Sequence, residues 1–418
     1  MKNLLLLISL LVGAITTTHS QVTFVREDSL SDNSRRIIEE SQNNIFDDPR
    51  TPRFIITDKS QKFLFGIGGF VCAQGYYDFT GLNESGECAD LLSIPFDSQE
   101  PDKMNLSAAT SLLSFKLLAD TEIGVVEANF ETDFDSNNSA LRLRKAYIRL
   151  GGFLVGQDWS TMTDTYSFPS VIDGADPVGK VGYRLPLIRY NFNIGERWEI
   201  FSSLEFPELT YAYNDESYVL SEKRPDFNNK VVYKSTSGKY IGQAAAILRY
   251  LKVGVSQDLE MVPNSGFCWG MSLANQINIG KSSIYLAGSM GLGVSDHFAG
   301  VSSHQMNVVE HTDIQNGNVD FVPLWVYNLV GGYTFNWSEN SSSSLVASYL
   351  KVSDRNIDNR ANVSQSTIDH LYSLSVNYIT EIIPHLTVGG EVFFAHKTVF
   401  DGGHAHGLRA VAMIRYDF

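Results

Sequence analysis

Residues 321–338 read FVPLWVYNLVGGYTFNWS. The odd positions Phe321, Trp325, Tyr327, Leu329, Tyr333, Phe335 and Trp337 are large and apolar. The even positions Asn328, Gly332, Thr334 and Asn336 are small or polar. Side chains alternate across a strand, so this period of two puts the two sets on opposite faces. The aromatics gather near both ends of the fatty face. A soluble sandwich buries such a face and has no reason to collect aromatics at its ends. An outer-membrane strand turns that face to lipid, with an aromatic girdle at each interface.

The same grammar recurs along the chain. Val126, Ala128, Phe130 and Phe134 alternate with Glu127, Asn129, Glu131 and Asp133. Trp198, Ile200, Leu204 and Phe206 alternate with Glu199, Phe201, Ser203 and Glu205, and Tyr372, Leu374, Val376 and Tyr378 with Ser373, Ser375 and Asn377. Strands are expected at 63–79, 104–118, 122–134, 140–150, 152–158, 181–193, 197–206, 227–236, 239–259, 266–278, 282–294, 320–336, 342–354, 367–380, 385–397 and 406–418. That makes about sixteen, an even number as in bacterial single-chain barrels. Short turns alternate with long loops at 80–102, 159–180, 207–226 and 295–319. The fold expected is an all-β transmembrane antiparallel barrel, wide enough for an aqueous lumen.

The last strand, GLRAVAMIRYDF from Gly407 to Phe418, supports closure. Leu408, Ala410, Ala412, Ile414, Tyr416 and Phe418 form its lipid face, while Arg409 and Arg415 fall on the inner side. A closed barrel pairs its last strand with its first, so the strand runs to the rim. A terminal aromatic resembles the signal read by the outer-membrane insertion machinery. That machinery and outer-membrane lipid are therefore expected partners.

The chain opens with Lys2, an apolar run from Leu4 to Ile15 and small polar residues. This is the pattern of a cleaved secretory signal, residues 1–20, with Gln21 first in the mature chain. The run is too short for a membrane anchor, which needs about 20 apolar residues. Residues 21–58 are polar and read as a short periplasmic extension with a short helix around Arg35–Ile45; the barrel occupies 59–418. The formal charge of −15 excludes a nucleic-acid partner, which requires a basic surface. Of three cysteines, Cys72 and Cys268 fall in strands and Cys88 in a loop, so a Cys72–Cys88 bond is one arrangement among others.

The stretches LRLRKAYIRLGGFLVGQDWSTMTD (141–164) and DGADPVGKVGYRLPLIRYNF (173–192) resemble the DcaP-like outer-membrane porins of Gram-negative bacteria. The shared pattern is an Arg-x-Arg strand, a turn, a GQDWS strand end, an acidic Gly/Pro loop and a strand carrying IRY. FLFGIGGFVCAQGYYDF (63–79) and SLLSFKLLADT (111–121) are similar to that family's first two strands. The resemblance implies a homotrimer of sixteen-stranded barrels, a third loop folded inward to narrow each pore, and passage of small, often anionic solutes including dicarboxylates. Two departures stand out. Leu112 occupies a second-strand position where many porins carry arginine, and the longer N-terminal coiled coil of some members is not expected from residues 21–58.

A diffusion channel selects by width and by charge at its constriction. The candidate basic wall is Arg142, Arg144, Arg184 and Arg189, with Arg409 and Arg415 as further lumen cations. The candidate acidic loop is Asp158, Asp164, Asp173 and Asp176, and Glu127 and Glu131 are candidate lumen carboxylates. Phase favours Arg189 inside, because Ile188, Tyr190 and Phe192 take the lipid face. Placing Arg142 and Arg144 inside sends Lys145, Tyr147 and Arg149 outward as a polar row, read as a trimer interface, unless a bulge intervenes.

No cofactor and no metal are expected. His297, His304 and His311 in one loop, and His404 and His406 in another, match no compact ligand spacing. There is no GxSxG nucleophile motif, so an enzyme is not expected. The function expected is a porin admitting small hydrophilic solutes by passive diffusion. The alternative is a barrel that serves surface binding or adhesion through loops 80–102 and 295–319.

Overall fold

The computed structural model describes residues 23–25, 30–32, 34–35, 38, 54–80, 94, 96, 102–135, 140–166, 168–174, 177–207, 218–220, 224–255, 264–301, 308–313, 318–353 and 368–418. The strands run β1 Thr23–Val25, β2 Phe54–Thr57, β3 Phe63–Asp78, β4 Lys103–Ser107, β5 Leu112–Thr121, β6 Gly124–Asp133, β7 Arg142–Leu150 and β8 Phe153–Trp159. They continue with β9 Arg184–Ile194, β10 Trp198–Glu205, β11 Tyr218–Leu220, β12 Asp226–Lys234, β13 Tyr240–Val255, β14 Asn264–Ile279 and β15 Ser282–Leu292. The remainder are β16 Val308–Asp313, β17 Asn318–Pro323, β18 Trp325–Asn336, β19 Ser341–Ser353, β20 Ile368–Ile383, β21 Leu386–Val399 and β22 His404–Asp417. Signal residues 1–20 and Cys88 lie outside the described residues.

Antiparallel neighbours close the sheet. β22 pairs with β3 from Arg409↔Asp78 to Asp417↔Phe70, and Phe418 and Gly69 exchange two backbone hydrogen bonds of 2.9 Å. Sixteen staves complete the ring among the described residues: β3, the pair β4 and β5 acting as one, β6 to β10, β12 to β15 and β18 to β22. Tight turns join the staves at one rim, and the longer connections sit at the other. That asymmetry marks the long-loop rim as the extracellular one.

Three local departures matter. The stave expected at 104–118 breaks at residues 108–111, where Ser111 Oγ takes over the ladder: it accepts from the Cys72 N–H (3.1 Å) and donates to the Cys72 carbonyl (3.3 Å). The stave expected at 320–336 begins only at Trp325. Phe321 belongs instead to β17, which forms a separate hairpin with β16. Proline offers no N–H to a ladder, and Pro323 ends that hairpin. The third departure is a bulge between β6 and β7, described with the site below.

Residues 21–58 do more than lead in. β22 stops opposite Gly69, leaving the first residues of β3 with an open edge. β2 fills it, from Phe54↔Ile67 to Thr57↔Leu64, and β1 pairs with β2 in turn. Helical residues begin at Asp32, before the expected Arg35, because Ser31 Oγ caps the Ser34 N–H at 3.2 Å. Leu30, Ile38 and Ile55 then bury against inward-facing Leu64 and Leu118 at the short-turn rim.

The outward face is apolar as expected: Phe130, Ile148, Ile188, Phe192, Leu204, Leu329, Leu374 and Ile414 are exposed along it. The inward face is less uniform than an open aqueous lumen implies. On β13 and β18 to β21 it carries Ile247, Val326, Leu350, Val352, Leu371 and Phe393, all buried against Met162, Val178, Val294 and Phe298 from folded-in connections. These connections bring their own apolar core into the barrel, so one side of the interior is dry.

Candidate functional site

The polar side of the interior is built on β5, β6 and β7. Glu127, Glu131 and Asp133 share the inward face of β6 with Asn129, which stands between the two glutamates. Across the ladder, register shifts between Glu131↔Lys145 and Thr132↔Leu143, leaving Arg144 as the extra residue. A bulge places two successive side chains on one side of a strand's regular phase. Arg142, Arg144, Lys145, Tyr147 and Arg149 therefore all meet inward carboxylates. The outward polar row of Lys145, Tyr147 and Arg149 expected from strict alternation does not exist. Lys145 is fully buried beside Glu131 (3.6 Å), Tyr147 donates its hydroxyl to Glu127 (2.9 Å), and Arg149 pairs with Glu127.

The ion pairs on this wall are lopsided. Arg142 contacts Asp133 at 2.6 Å, with side-chain exposures of 35% and 1%. Arg144 contacts Glu131 at 2.7 Å, with exposures of 24% and 4%, and Asp133 at 2.7 Å. Arg189 on β9 contacts Asp158 on β8 at 2.6 Å, with exposures of 15% and 6%. In each pair the carboxylate lies behind and the guanidinium faces the lumen. Arg184, at the start of β9, stacks 4.8 Å over the Trp159 ring, and its Nη1 is buried without a hydrogen-bond partner among the described residues.

The described residues of 160–183 follow the inner wall from β10 round to β3. Glu205 accepts from Ser160 Oγ (2.7 Å) and the Thr161 N–H (2.7 Å). Lys230 Nζ donates to the Thr163 carbonyl at 3.1 Å, and Tyr166 reaches Glu199. Asn377 Nδ2 donates to the Ser170 carbonyl (2.7 Å), and Glu391 accepts from the Ile172 (2.8 Å) and Asp173 (2.7 Å) N–H groups. On the return leg Gly179, at φ +74°, presses against Asn328 and Leu350; a Cβ there would lie 2.9 Å from Asn328. Only glycine takes that conformation and approach without strain.

The expected acidic residues are not an exposed wall. Asp158 sits on β8 and pairs with Arg189; Asp164 is buried and accepts from the Tyr166 N–H at 3.0 Å. Asp173 is buried against Arg409 at 3.2 Å, and Arg409 also binds Asp78 (Nη2 to Oδ2, 3.0 Å). Asp176 lies outside the described residues. Arg409 is thus a clamp between β22, β3 and the inner loop. Arg415 lies inward near the other rim, 3.8 Å over the Phe70 ring and 2.6 Å from Asp417.

A second cluster was not anticipated from the sequence. Arg249 on β13 binds Asp226 on β12 (Nη2, 2.7 Å) and Asp296 in the connection after β15 (Nη1, 2.7 Å), all three within 4% exposure. His297 Nε2 lies 3.3 Å from Arg249 Nη2. Burial alone would raise the Asp296 pKa, but the Arg249 charge and hydrogen bonds hold it below the ordinary carboxylate value. The triad ties residues 295–301 inward, away from the surface loop of the adhesion alternative. His304 lies outside the described residues, and His311 is in β16. Among the described residues no group of histidines, cysteines and carboxylates is placed to hold a metal.

A protein-family model described as DcaP outer membrane protein matches residues 11–418. Among solved structures, the outer membrane channel DcaP of Acinetobacter baumannii is similar at TM-score 0.74 and 20% identity, over 87% of this chain and 99% of that one. An anion-selective porin from Comamonas acidovorans aligns at TM-score 0.56 and 13% identity, over 85% and 100% of the two chains. The trimer form of OmpT, an outer membrane protein of Vibrio cholerae, aligns at TM-score 0.50 and 10% identity, over 85% and 99%. At these identities the structural likenesses carry the fold. The comparison with curated protein sequences finds no match.

Proposed function

Because the chain belongs to the DcaP outer membrane protein family, we propose that it is a passive diffusion channel for small hydrophilic solutes that favours anions, dicarboxylates included. One observation carries the preference: on the β6–β7–β9 wall the guanidinium groups of Arg144 and Arg189 are more exposed than their buried carboxylate partners, and Arg142 is more exposed than either of its own, the buried Asp133 and the partly exposed Asp135. A solute therefore meets positive charge first. The field is weaker than that of bare arginines, because each has a nearby countercharge, but its sign at the water boundary is positive. Arg184 adds a guanidinium with incomplete hydrogen bonding.

The inner segment 160–183 is the constriction on this reading. Its carboxylates Asp164 and Asp173 are turned into the wall, so selectivity rests on the basic side more than on a field between two walls. The protein is no enzyme on this account. Single-channel recording of refolded protein in planar bilayers tests the channel, and the absence of stepwise conductance overturns it. Zero-current potentials in a salt gradient test the anion preference, and cation selectivity refutes it. A homotrimer is proposed with it; light scattering of detergent-solubilised protein checks the mass against 46.5 kDa per full-length chain. Removal of residues 1–20 predicts Gln21 as the mature first residue, readable by N-terminal sequencing. Insertion through the C-terminal strand predicts that deleting Phe418 lowers the yield of folded barrel.

A further inference from the structure

Four histidines that play no part in the lumen meet on the outside of the barrel. His370 on β20, His396 on β21, and His404 and His406 on β22 all face outward near the long-loop rim. The ladder stacks them in two rows. His370 and His404 flank Thr398 in the upper row; Tyr372, His396 and His406 fill the lower one. Ring centroids are 6.4 Å apart for His370–His396 and 6.1 Å for His396–His404, and Tyr372 stacks on His396 at 4.8 Å. The row beneath is Leu374, Phe394 and Leu408, and the next Val376, Val392 and Ala410. Apolar surface therefore gives way to imidazole within one row.

The height of that boundary identifies its surroundings. From His406 to Tyr416 on β22, at about 3.3 Å per residue and about 40° of tilt, the strand descends roughly 25 Å, the height of an outer-membrane apolar band. Tyr416 then marks the inner interface and the histidines mark the outer one. They occupy girdle positions usually held by tryptophan and tyrosine. Imidazole differs from those rings in that it gains a charge near pH 6.5. Among the described residues the groups facing the patch are few. Lys351 on β19 pairs with Asp369 at 2.8 Å, and Asp369 contacts His370 Nδ1 at 2.7 Å. Asp401, in the turn above, accepts from the Gly403 N–H (2.7 Å), and Asp102 is held by the Tyr77 hydroxyl (2.8 Å) beside the Ala410 row. Among the described residues the tyrosines Tyr349 and Tyr372 complete the set. His396, His404 and His406 repel one another once charged, so their protonation calls for an external anion.

We propose that this patch binds the phosphate groups of phosphorylated glycolipids in the outer leaflet, more tightly as pH falls through the histidine range. The acyl chains would lie on the Leu374, Phe394 and Leu408 row while the imidazolium groups bind the headgroup. An anionic leaflet also concentrates protons at its surface, so headgroup and imidazolium stabilise each other.

The test uses the full chain in detergent, delipidated and incubated with bisphosphorylated lipid A or with its dephosphorylated form, in the presence of a metal chelator. Bound lipid is counted by native mass spectrometry. Retention of the bisphosphorylated lipid should be about tenfold higher near pH 5.5 than near pH 8, following imidazole protonation. The dephosphorylated lipid should show no such dependence. The variant H370Q/H396Q/H404Q/H406Q should lose the pH dependence while keeping the heat-modifiable mobility of a folded barrel. H396Q/H406Q, a milder change, should reduce it if the fourfold variant does not insert. Equal retention by the variants, pH-independent retention, or full displacement by millimolar inorganic phosphate would overturn the proposal. So would retention that requires zinc.

Discussion

Two arginine–carboxylate clusters stand on the inner wall, with β8, β9 and β10 between them. On β6 and β7 the arginines are a quarter to a third exposed and cover buried carboxylates. Around Arg249, cation and carboxylates are all shut away from water. The chemistry of the pairs is the same; access differs. Where solvent reaches one partner, the pair screens the strand while presenting a sign to the lumen. Where it reaches neither, the pair acts only as a fastening, because a buried charge is strongly destabilising once its partner is gone.

The comparison can be broken most directly at Arg249. Arg249→Met leaves Asp226 and Asp296 buried and uncompensated, with an expected loss of about 3–5 kcal/mol, read as a lower unfolding midpoint in denaturant. Arg144→Met should cost no more than about 1 kcal/mol, since Arg142 and Lys145 still face its carboxylates and the site is wet. Equal costs would erase the distinction. The reverse holds for transport. The double change R142A/R144A should move the zero-current potential toward cation selectivity, whereas Arg249→Met should leave its sign alone in whatever barrel remains folded. An unchanged potential in R142A/R144A would show that the exposed layer does not set selectivity.

Acidity and salt sharpen the contrast further. The folded Asp296 pKa lies below its unfolded value, so its contribution is fully present above about pH 4 and is lost as pH falls through the lower folded value. Current noise from residues 295–301 should therefore be the same near pH 7 and near pH 5, and should rise only in stronger acid. Noise that rises already near pH 5 would contradict the tether. The smallest effect is that of ionic strength. Anion preference should decline between 0.1 M and 1 M salt as the Debye length shrinks from about 10 Å to about 3 Å, while the stability difference for Arg249→Met stays nearly constant.

Much of this architecture can be read from the chain, and the reason lies in periodicity. Trp325, Tyr327, Leu329 and Tyr333 declare a face by themselves, and Ile188, Tyr190 and Phe192 fix Arg189 on the other. A bulge has no such signature. The phase error at Arg144 turned Lys145, Tyr147 and Arg149 the wrong way, although three carboxylates at Glu127, Glu131 and Asp133 on the facing strand give a reason for them to turn inward. Asp226, Arg249 and Asp296 were silent because their meeting depends on how a long connection folds, which period-two patterning does not encode. Ile247, Leu350 and Phe393 are apolar residues on an inward face; alternation marks them as exceptions without saying what covers them. The histidine patch is likewise invisible until the register of three strands is known.

The far anchors of residues 160–183 have a consequence in time. Glu391 on β21, Arg409 on β22 and Gln74 and Asp78 on β3 straddle the junction of the last and first staves. Arg409 bridges Asp173 and Asp78 across it. Until that junction zips, the loop's anchors on β3 and those on β21 and β22 are on separate edges of an open sheet. The narrow part of the channel is therefore finished in the same step as the cylinder itself, so an incompletely assembled barrel has no formed selectivity zone.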